Sequence, residues 1–153
     1  MNMENKSGTV SFINNFYLAA HFICLLAFLF PASSITIAGQ AYTQYLLTSY
    51  PGWAVLSVIL ALLIIQCLFY FKNKKWPSWL GMITGLYCFV YAIVTIWNAY
   101  NRFNNGMADS LVRKLETTNA PLAGLWILAV GGGMLFVIAI LKILRNRTIK
   151  IRI

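Results

Sequence analysis

Four long runs of apolar residues constrain this chain more than any other feature. They cover residues 12–30, 52–71, 79–99 and 122–141, and none of them contains Asp, Glu, Lys or Arg. A hydrocarbon core about 30 Å thick needs roughly 20 helical residues to cross it. Lipid offers backbone polar groups no partner, so a segment that crosses it must be helical. The runs therefore predict an all-α integral membrane protein, a four-transmembrane-helix bundle in a single domain over residues 1–153.

The composition excludes an ordinary soluble domain. Hydrophobic residues make up 60% of the chain and charged residues only 10%, whereas soluble domains are about 25% charged. The net charge of +9 does not indicate nucleic-acid binding, because the basic residues lie in short clusters beside the apolar runs. Such clusters orient membrane proteins and contact anionic lipid. We expect the lipid bilayer, and no nucleic acid, as a partner.

The distribution of basic residues predicts the orientation of the four helices. Basic residues are enriched on the cytoplasmic side of membrane proteins. Nine of them fall on one side: Lys6, Lys72, Lys74, Lys75, Lys142, Arg145, Arg147, Lys150 and Arg152. Three fall on the other side: Arg102, Arg113 and Lys114. Both termini are therefore predicted to be cytoplasmic, and the small size and layout favour a bacterial inner membrane.

The first apolar run also has an interpretation as a cleaved signal peptide. Residues 16–30 resemble its apolar region, and Ala32-Ser33-Ser34 loosely resembles a cleavage site. The segment before it is long, however, and the charges of Glu4 and Lys6 cancel. We favour an uncleaved first helix.

The two predicted outer loops differ in composition. In the first loop, which is uncharged, Ser34–Ile37 fits a short extended stretch and Ala41–Tyr50 fits a helix lying at the interface. In the second loop, Met107, Leu111 and Leu115 recur at helical spacing. That spacing predicts a short amphipathic helix resting on the membrane surface. A lid or docking site is the alternative for this second helix.

Polar residues follow one face of the first span and one face of the third. Spacings of three and four residues keep side chains on the same side of a helix. This candidate functional polar face consists of His21, Cys24, Thr84, Cys88, Tyr91, Thr95 and Asn98. We expect the two spans to direct these residues at each other. His21 should hydrogen-bond Tyr91 or a backbone carbonyl, because an imidazole in hydrocarbon needs a partner.

Glycines mark candidate sites of close helix packing. They are Gly81, Gly85, Gly131, Gly132 and Gly133. Small residues let two helices approach closely in a membrane. A hinge or a helix break at the three consecutive glycines is the alternative.

Recognisable catalytic chemistry is lacking in the sequence. Its three acidic residues, Glu4, Asp109 and Glu116, lie outside the apolar runs. No carboxylate pair, metalloprotease motif or phosphate-binding loop occurs. His21, Cys24 and Cys88 alone do not complete a zinc site. We expect no cofactor and no metal, and we do not expect an enzyme.

The layout is similar to that of immunity proteins for pore-forming bacteriocins, which are short, basic and four-spanning. That resemblance implies a binding protein without chemistry of its own. The leading hypothesis is a small inner-membrane binding or accessory protein that contacts a membrane-protein partner, or a second copy, through its helices and outer loops. A subunit of a small transporter or channel is one alternative, and an intramembrane enzyme using His21 is another.

Overall fold

The computed structural model describes residues 4–37, 40–48, 53–71, 78–104 and 116–150. Its four helices are α1 (Glu4–Ala27), α2 (Trp53–Phe71), α3 (Ser78–Asn104) and α4 (Ala123–Lys150). Its three strands are β1 (Pro31–Ile37), β2 (Gln40–Tyr45) and β3 (Glu116–Pro121). The described part of the chain is therefore mainly helical, as the apolar runs predict.

The strands form one antiparallel sheet in the order β2–β1–β3. Ser34 of β1 pairs with Thr43 of β2 on one side and with Ala120 of β3 on the other. The extended stretch predicted over Ser34–Ile37 is thus confirmed. The prediction of an all-α protein is wrong in this respect. The sheet forms because strands from the two loops pair with each other. Local periodicity carries no information about such a distant partner.

The interfacial helix predicted over Ala41–Tyr50 is also wrong where the structure describes it. Its first half is strand β2 instead. Tyr42, Thr43 and Tyr45 are aromatic or β-branched residues, which favour strands, and β1 satisfies the backbone of β2 by pairing with it. Tyr42 and Tyr45 are both exposed, while Leu46 in the following turn is buried. The helix predicted around Met107, Leu111 and Leu115 lies outside the described residues.

The sheet lies at the end of the bundle where α1 and α3 end and α2 and α4 begin. The backbone N–H of Leu122 donates to the carbonyl of Ala32 at 2.8 Å. A Cβ atom at Gly124 would approach the carbonyl oxygens of Phe30 and Pro31 to 2.7 and 2.8 Å. The start of α4 therefore packs directly against the chain as it passes from α1 into β1.

Helix α4 makes the most extensive helix–helix contacts, first with α3 and then with α1. Helix α2 contacts α1 and α3 over a smaller area. The core is built from leucine, alanine and cysteine side chains on all four helices, among them Cys24, Leu63, Ala92, Leu128 and Leu135. Small residues at this many core positions allow the helix axes to lie close together.

The glycines that the sequence marks for packing lie at these contacts. A Cβ atom at Gly85 would lie 2.6 Å from the backbone nitrogen of Phe136, and one at Gly132 would lie 2.6 Å from that of Phe89. At Gly131 the nearest atom would be the backbone nitrogen of Cys24, at 2.9 Å. Helix α4 continues without interruption through these glycines. The described geometry is that of close packing, and α4 is not broken here.

Two helical segments are long and apolar enough to cross a membrane by length and composition. They are Ser78–Asn101, with 24 residues, and Ala123–Arg145, with 23 residues. Two shorter apolar helical segments, Phe12–Ala27 and Ala54–Tyr70, accompany them. The corresponding helix α1 begins at Glu4 and ends at Ala27, earlier at both ends than the predicted span over residues 12–30.

Candidate functional site

The most polar part of the described interior surrounds His21, where α1 faces Gln66 of α2 and Thr84 of α3. His21 is only 2% exposed. Tyr17, Ala20, Cys24 and Ala27, which share its face of α1, are also buried. Residues spaced three and four apart form one continuous side of a helix, so this side of α1 faces the other helices. The prediction that His21 points into the bundle agrees with this position.

Both ring nitrogens of His21 have hydrogen-bond partners. Nδ1 lies 2.8 Å from the carbonyl oxygen of Tyr17, one turn earlier in α1. Nε2 lies 2.8 Å from Oε1 of Gln66 on α2. A backbone carbonyl was one of the two predicted partners, and the structure provides it. Tyr91, the other predicted partner, is not needed, since Gln66 takes the second nitrogen.

Gln66 is the residue that sequence reasoning missed, and it joins three helices. Its amide nitrogen donates to Oγ1 of Thr84 on α3 at 3.2 Å. Its Oε1 accepts from the hydroxyl of Tyr17 at 3.4 Å as well as lying beside His21. Gln66 is 3% exposed. The sequence did contain a signal for its role, because Gln66 is a side-chain amide inside an otherwise apolar run. An unpaired polar group in such surroundings costs free energy, so a partner is expected.

Thr84 ends this series of hydrogen bonds on α3. Its hydroxyl donates to the carbonyl of Leu80, one turn earlier, at 2.8 Å. We call His21, Gln66 and Thr84, with Tyr17 beside them, the polar junction. Its side chains lie on α1, α2 and α3 and are hydrogen-bond partners of one another. Of the predicted polar face, it contains His21 and Thr84.

Lys142 is a second residue that the sequence did not connect with the site. It lies on α4, and its Nζ is 4.3 Å from the centroid of the Tyr17 ring. The same ring meets the His21 ring edge-on at 4.5 Å. An ammonium over an aromatic ring is attracted by the ring's negative face. Tyr17 therefore contacts both the Lys142 cation and the imidazole of His21.

The cysteines of the polar face form a separate contact one turn further along. Cys24 of α1 and Cys88 of α3 are fully buried, and their side chains are neighbours. A Cβ atom at Gly131 of α4 would lie 3.0 Å from the Cys24 sulfur. Among the residues that the structure describes, no three His, Cys, Asp or Glu side chains are grouped to hold a metal ion.

The remaining residues of the predicted polar face do not join the junction. Tyr91 stacks on Tyr87 with ring centroids 6.1 Å apart. Thr95 donates to the carbonyl of Tyr91 at 2.7 Å, and Asn98 is exposed. The polar face thus turns from the interior toward the surface as α3 approaches the sheet, so its two halves have different environments.

The polar junction provides hydrogen-bond donors and acceptors and one titratable imidazole, and these can hold a proton and fix three helices together. No protein-family model matches the chain, and no curated protein matches it at a significant level. Its function is therefore argued from this geometry and from the surface of the molecule.

Proposed function

We propose that the chain is a four-span membrane protein that binds a membrane-protein partner at the end of the bundle that carries the sheet. Three observations support this proposal. They are the exposed apolar surface of the helices, the distribution of basic residues, and the composition of the strand at the edge of the sheet. The proposed binding function rests mainly on the composition of the edge strand.

Large apolar side chains on all four helices point away from the core. Examples are Phe22 of α1, Val58 of α2, Phe89 of α3 and Val137 of α4, each at least 40% exposed. Contiguous apolar surface of this extent is unusual in a soluble monomer and is typical of contact with lipid or with another protein. A bilayer around all four helices accounts for this exposed apolar surface, including that of the two shorter helices.

Exposed tryptophans fit the two boundaries of such a bilayer. Trp79 and Trp97 of α3 are 52% and 65% exposed. Their separation along a helix is about 27 Å, at 1.5 Å per residue, which is close to the thickness of the hydrocarbon core. Trp126, near the start of α4, is also exposed at the end shared with Trp97. Tryptophan favours the headgroup level, so these side chains support a bundle that spans the membrane.

The basic residues give this bundle an orientation. Nine of the twelve Lys and Arg residues belong to the N-terminal segment, the link between α2 and α3, and the end of the chain. With those segments cytoplasmic, both termini are inside and the sheet is outside. A bacterial inner membrane fits the small size and the charge pattern. Cleavage at Ala32-Ser33-Ser34 would remove His21 and Cys24 from the interior, which favours an uncleaved α1.

Strand β2 is the surface that best fits a partner. In the described part of the chain it pairs with β1 alone, and its residues Gln40, Ala41, Tyr42, Thr43 and Tyr45 are exposed. It contains no charge and no proline. Natural edge strands usually carry such residues to prevent unwanted pairing. An uncharged, exposed edge with two tyrosines suits the addition of an extended segment from another protein.

The resulting proposal is a binding or accessory protein whose outer sheet accepts a strand of a membrane partner. An immunity-type role, in which the partner is a membrane-active toxin or its receptor, is one form of it. Transport or channel activity is the alternative and requires several copies, because four helices with so few polar faces cannot line much of a pore.

The decisive experiment is purification of the chain in nanodiscs of native lipid, followed by measurement of the particle mass. We expect a hetero-complex of defined stoichiometry. Thr43→Lys in β2 should reduce recovery of the partner at least tenfold, since burying an unpaired ammonium at a strand interface exceeds the ~1.4 kcal/mol that corresponds to tenfold. The control is Leu47→Lys, which adds the same charge to the exposed turn after β2 and should leave the complex intact.

Other outcomes point elsewhere. A symmetric homo-oligomer that both lysine variants preserve would favour a transporter or channel subunit. A partner that is retained equally by Thr43→Lys and Leu47→Lys would place the binding surface away from β2. If an enzymatic activity is found, its survival in His21→Ala would exclude an intramembrane enzyme that uses this imidazole.

A further inference from the structure

The hydrogen bonds of the polar junction restrict the protonation state of His21. Nδ1 faces the carbonyl oxygen of Tyr17, and Nε2 faces Oε1 of Gln66, both at 2.8 Å. A carbonyl oxygen can only accept. Both ring nitrogens must then carry hydrogen, which occurs only in the imidazolium form. The rest of the junction agrees, since Gln66 donates to Thr84 and Thr84 donates to Leu80.

A neutral imidazole fits the same positions if the amide of Gln66 turns by half a rotation. Nδ1 keeps its hydrogen, because the Tyr17 carbonyl cannot change roles. Nε2 then accepts from the amide nitrogen of Gln66, and the Gln66 oxygen faces the Thr84 hydroxyl. That hydroxyl turns from the Leu80 carbonyl to the Gln66 oxygen, while the Leu80 carbonyl keeps its helical hydrogen bond from the Thr84 N–H.

The Tyr17 hydroxyl contacts Gln66 in both arrangements. With imidazolium, it donates to Gln66 Oε1, 3.4 Å away. With neutral imidazole, its oxygen accepts the second amide hydrogen of Gln66. The other neutral tautomer, with hydrogen only on Nε2, is excluded, because it sets the Nδ1 lone pair against the Tyr17 carbonyl oxygen. Two sets of hydrogen bonds among His21, Gln66 and Thr84 therefore fit one set of atomic positions, and they differ by one proton.

We propose that His21, Gln66 and Thr84 form a binding site for one proton, and that its uptake reverses the direction of the hydrogen bonds from α1 through α2 to α3. The proton binds at Nε2 of His21. No covalent bond between heavy atoms changes, and the proton comes from water. This inference is independent of partner binding at β2, since it concerns the interior of the bundle.

The titratable groups around His21 come from all four helices. Tyr17 and Cys24 lie on α1, Cys67 lies on α2 within electrostatic range of Tyr17, and Cys88 lies on α3. Lys142 on α4 is the charged side chain that the structure describes at this site, with its Nζ 4.3 Å from the centroid of the Tyr17 ring. A proton on His21 adds a second positive charge close to Lys142. The occupancy of the site is thus coupled to the position of the Lys142 ammonium.

Reversal of these hydrogen bonds exchanges the donor and acceptor ends of the amide that joins α2 to α1 and α3. In one state the Gln66 amide donates to α3, and in the other it donates to α1. Helix α2 has fewer close contacts with α1 and α3 than α4 has, and Gln66 links it by hydrogen bonds to both. The proton therefore acts at the hydrogen-bonded link between α2 and its neighbours.

The chain allows a direct test, because it contains a single histidine. Full-length, untagged protein with ¹⁵N-labelled histidine in lipid nanodiscs gives signals from His21 alone. On titration we expect the Nδ1–H tautomer at high pH and two N–H groups at low pH. The side-chain amide signal of Gln66 should change at the same midpoint. A neutral Nε2–H tautomer, or no titration before the protein unfolds, would overturn the proposal.

Thr84→Val tests the coupling to α3, and Thr95→Val is its matched control. Both threonines donate to the carbonyl one turn earlier, but only Thr84 contacts Gln66. Thr84→Val removes two hydrogen bonds from the protonated set and one from the neutral set, so it should lower the His21 midpoint by about 0.7 pH unit, the equivalent of one hydrogen bond of about 1 kcal/mol. Thr95→Val should leave it unchanged, and Thr84→Ser should restore it. Equal midpoints in all three variants would refute the coupling, and the tautomer measurement stands even if Thr84→Val fails to fold.

Discussion

Helix α3 meets α4 and α2 in opposite ways. Toward α4, backbone lies against backbone, with Gly85 and Gly132 placed so that neither has room for a side chain. Toward α2, close contacts are fewer and include the hydrogen bond from Gln66 to Thr84. The α3–α4 contact depends on close packing of the two backbones, and the α2–α3 contact depends on a side-chain hydrogen bond.

The difference shows how two means of holding helices together are combined in one small bundle. Lipid is as apolar as leucine, so helix association relies on close packing and on hydrogen bonds between helices. Close packing at glycines has a single arrangement, because any displacement separates the backbones. A hydrogen-bonded junction has alternatives, since an amide can exchange its donor and acceptor ends. The α3–α4 contact is therefore suited to be rigid, and the α2 contact is suited to change.

The largest effect is expected where a backbone atom occupies the space. Gly132→Ala places a Cβ atom 2.6 Å from the backbone nitrogen of Phe89, and neither helix can yield without separation of the pair. We expect a loss of about 3 kcal/mol in the free energy of unfolding, measured by SDS denaturation in mixed micelles, or failure to fold. The control is Gly133→Ala, whose Cβ atom meets only the Phe89 ring at 3.3 Å.

Gly133→Ala should be neutral or slightly stabilising, because alanine favours a helix over glycine by about 1 kcal/mol. Equal stability of the two alanine variants would show that the α3–α4 contact is not as rigid as its distances indicate.

A smaller loss is expected at the polar junction. Gln66→Leu leaves Nε2 of His21 and the Thr84 hydroxyl without their partner, and should reduce the free energy of unfolding by about 2 kcal/mol. The double variant Gln66→Leu with His21→Leu should lose about 1 kcal/mol less than the sum of the two single variants. Strict additivity in this cycle would mean that the two side chains do not interact.

The smallest effect is expected where a glycine faces a side chain instead of backbone. At Gly81 an added Cβ atom overlaps the hydroxyl end of Tyr17, which can move. Gly81→Ala should reduce the free energy of unfolding by about 1 kcal/mol, and the loss should be smaller in a Tyr17→Phe background. A loss at Gly81 as large as that at Gly132 would contradict the distinction between backbone and side-chain contacts.

The helical character of the chain and the small residues at its helix contacts could be predicted from the amino-acid sequence alone. Runs without charge define the helices, because a backbone buried in apolar surroundings must satisfy itself locally. Helical spacing on α1 was enough to direct His21 inward with Cys24. The glycines of α4 were recognisable as packing positions, because a run of glycines in a helix needs a compensating close contact.

Which groups meet depends on the packing of helices and strands that are distant in the sequence. The pairing of β1 with both β2 and β3 depends on two loops far apart in the chain, so local periodicity assigned a helix where a strand forms. The choice of Gln66 over Tyr91 as the partner of His21 depends on how the helices are rotated and shifted along one another. That arrangement follows from the sum of all contacts, with the glycines at its centre, and spacing within a single helix cannot contain it.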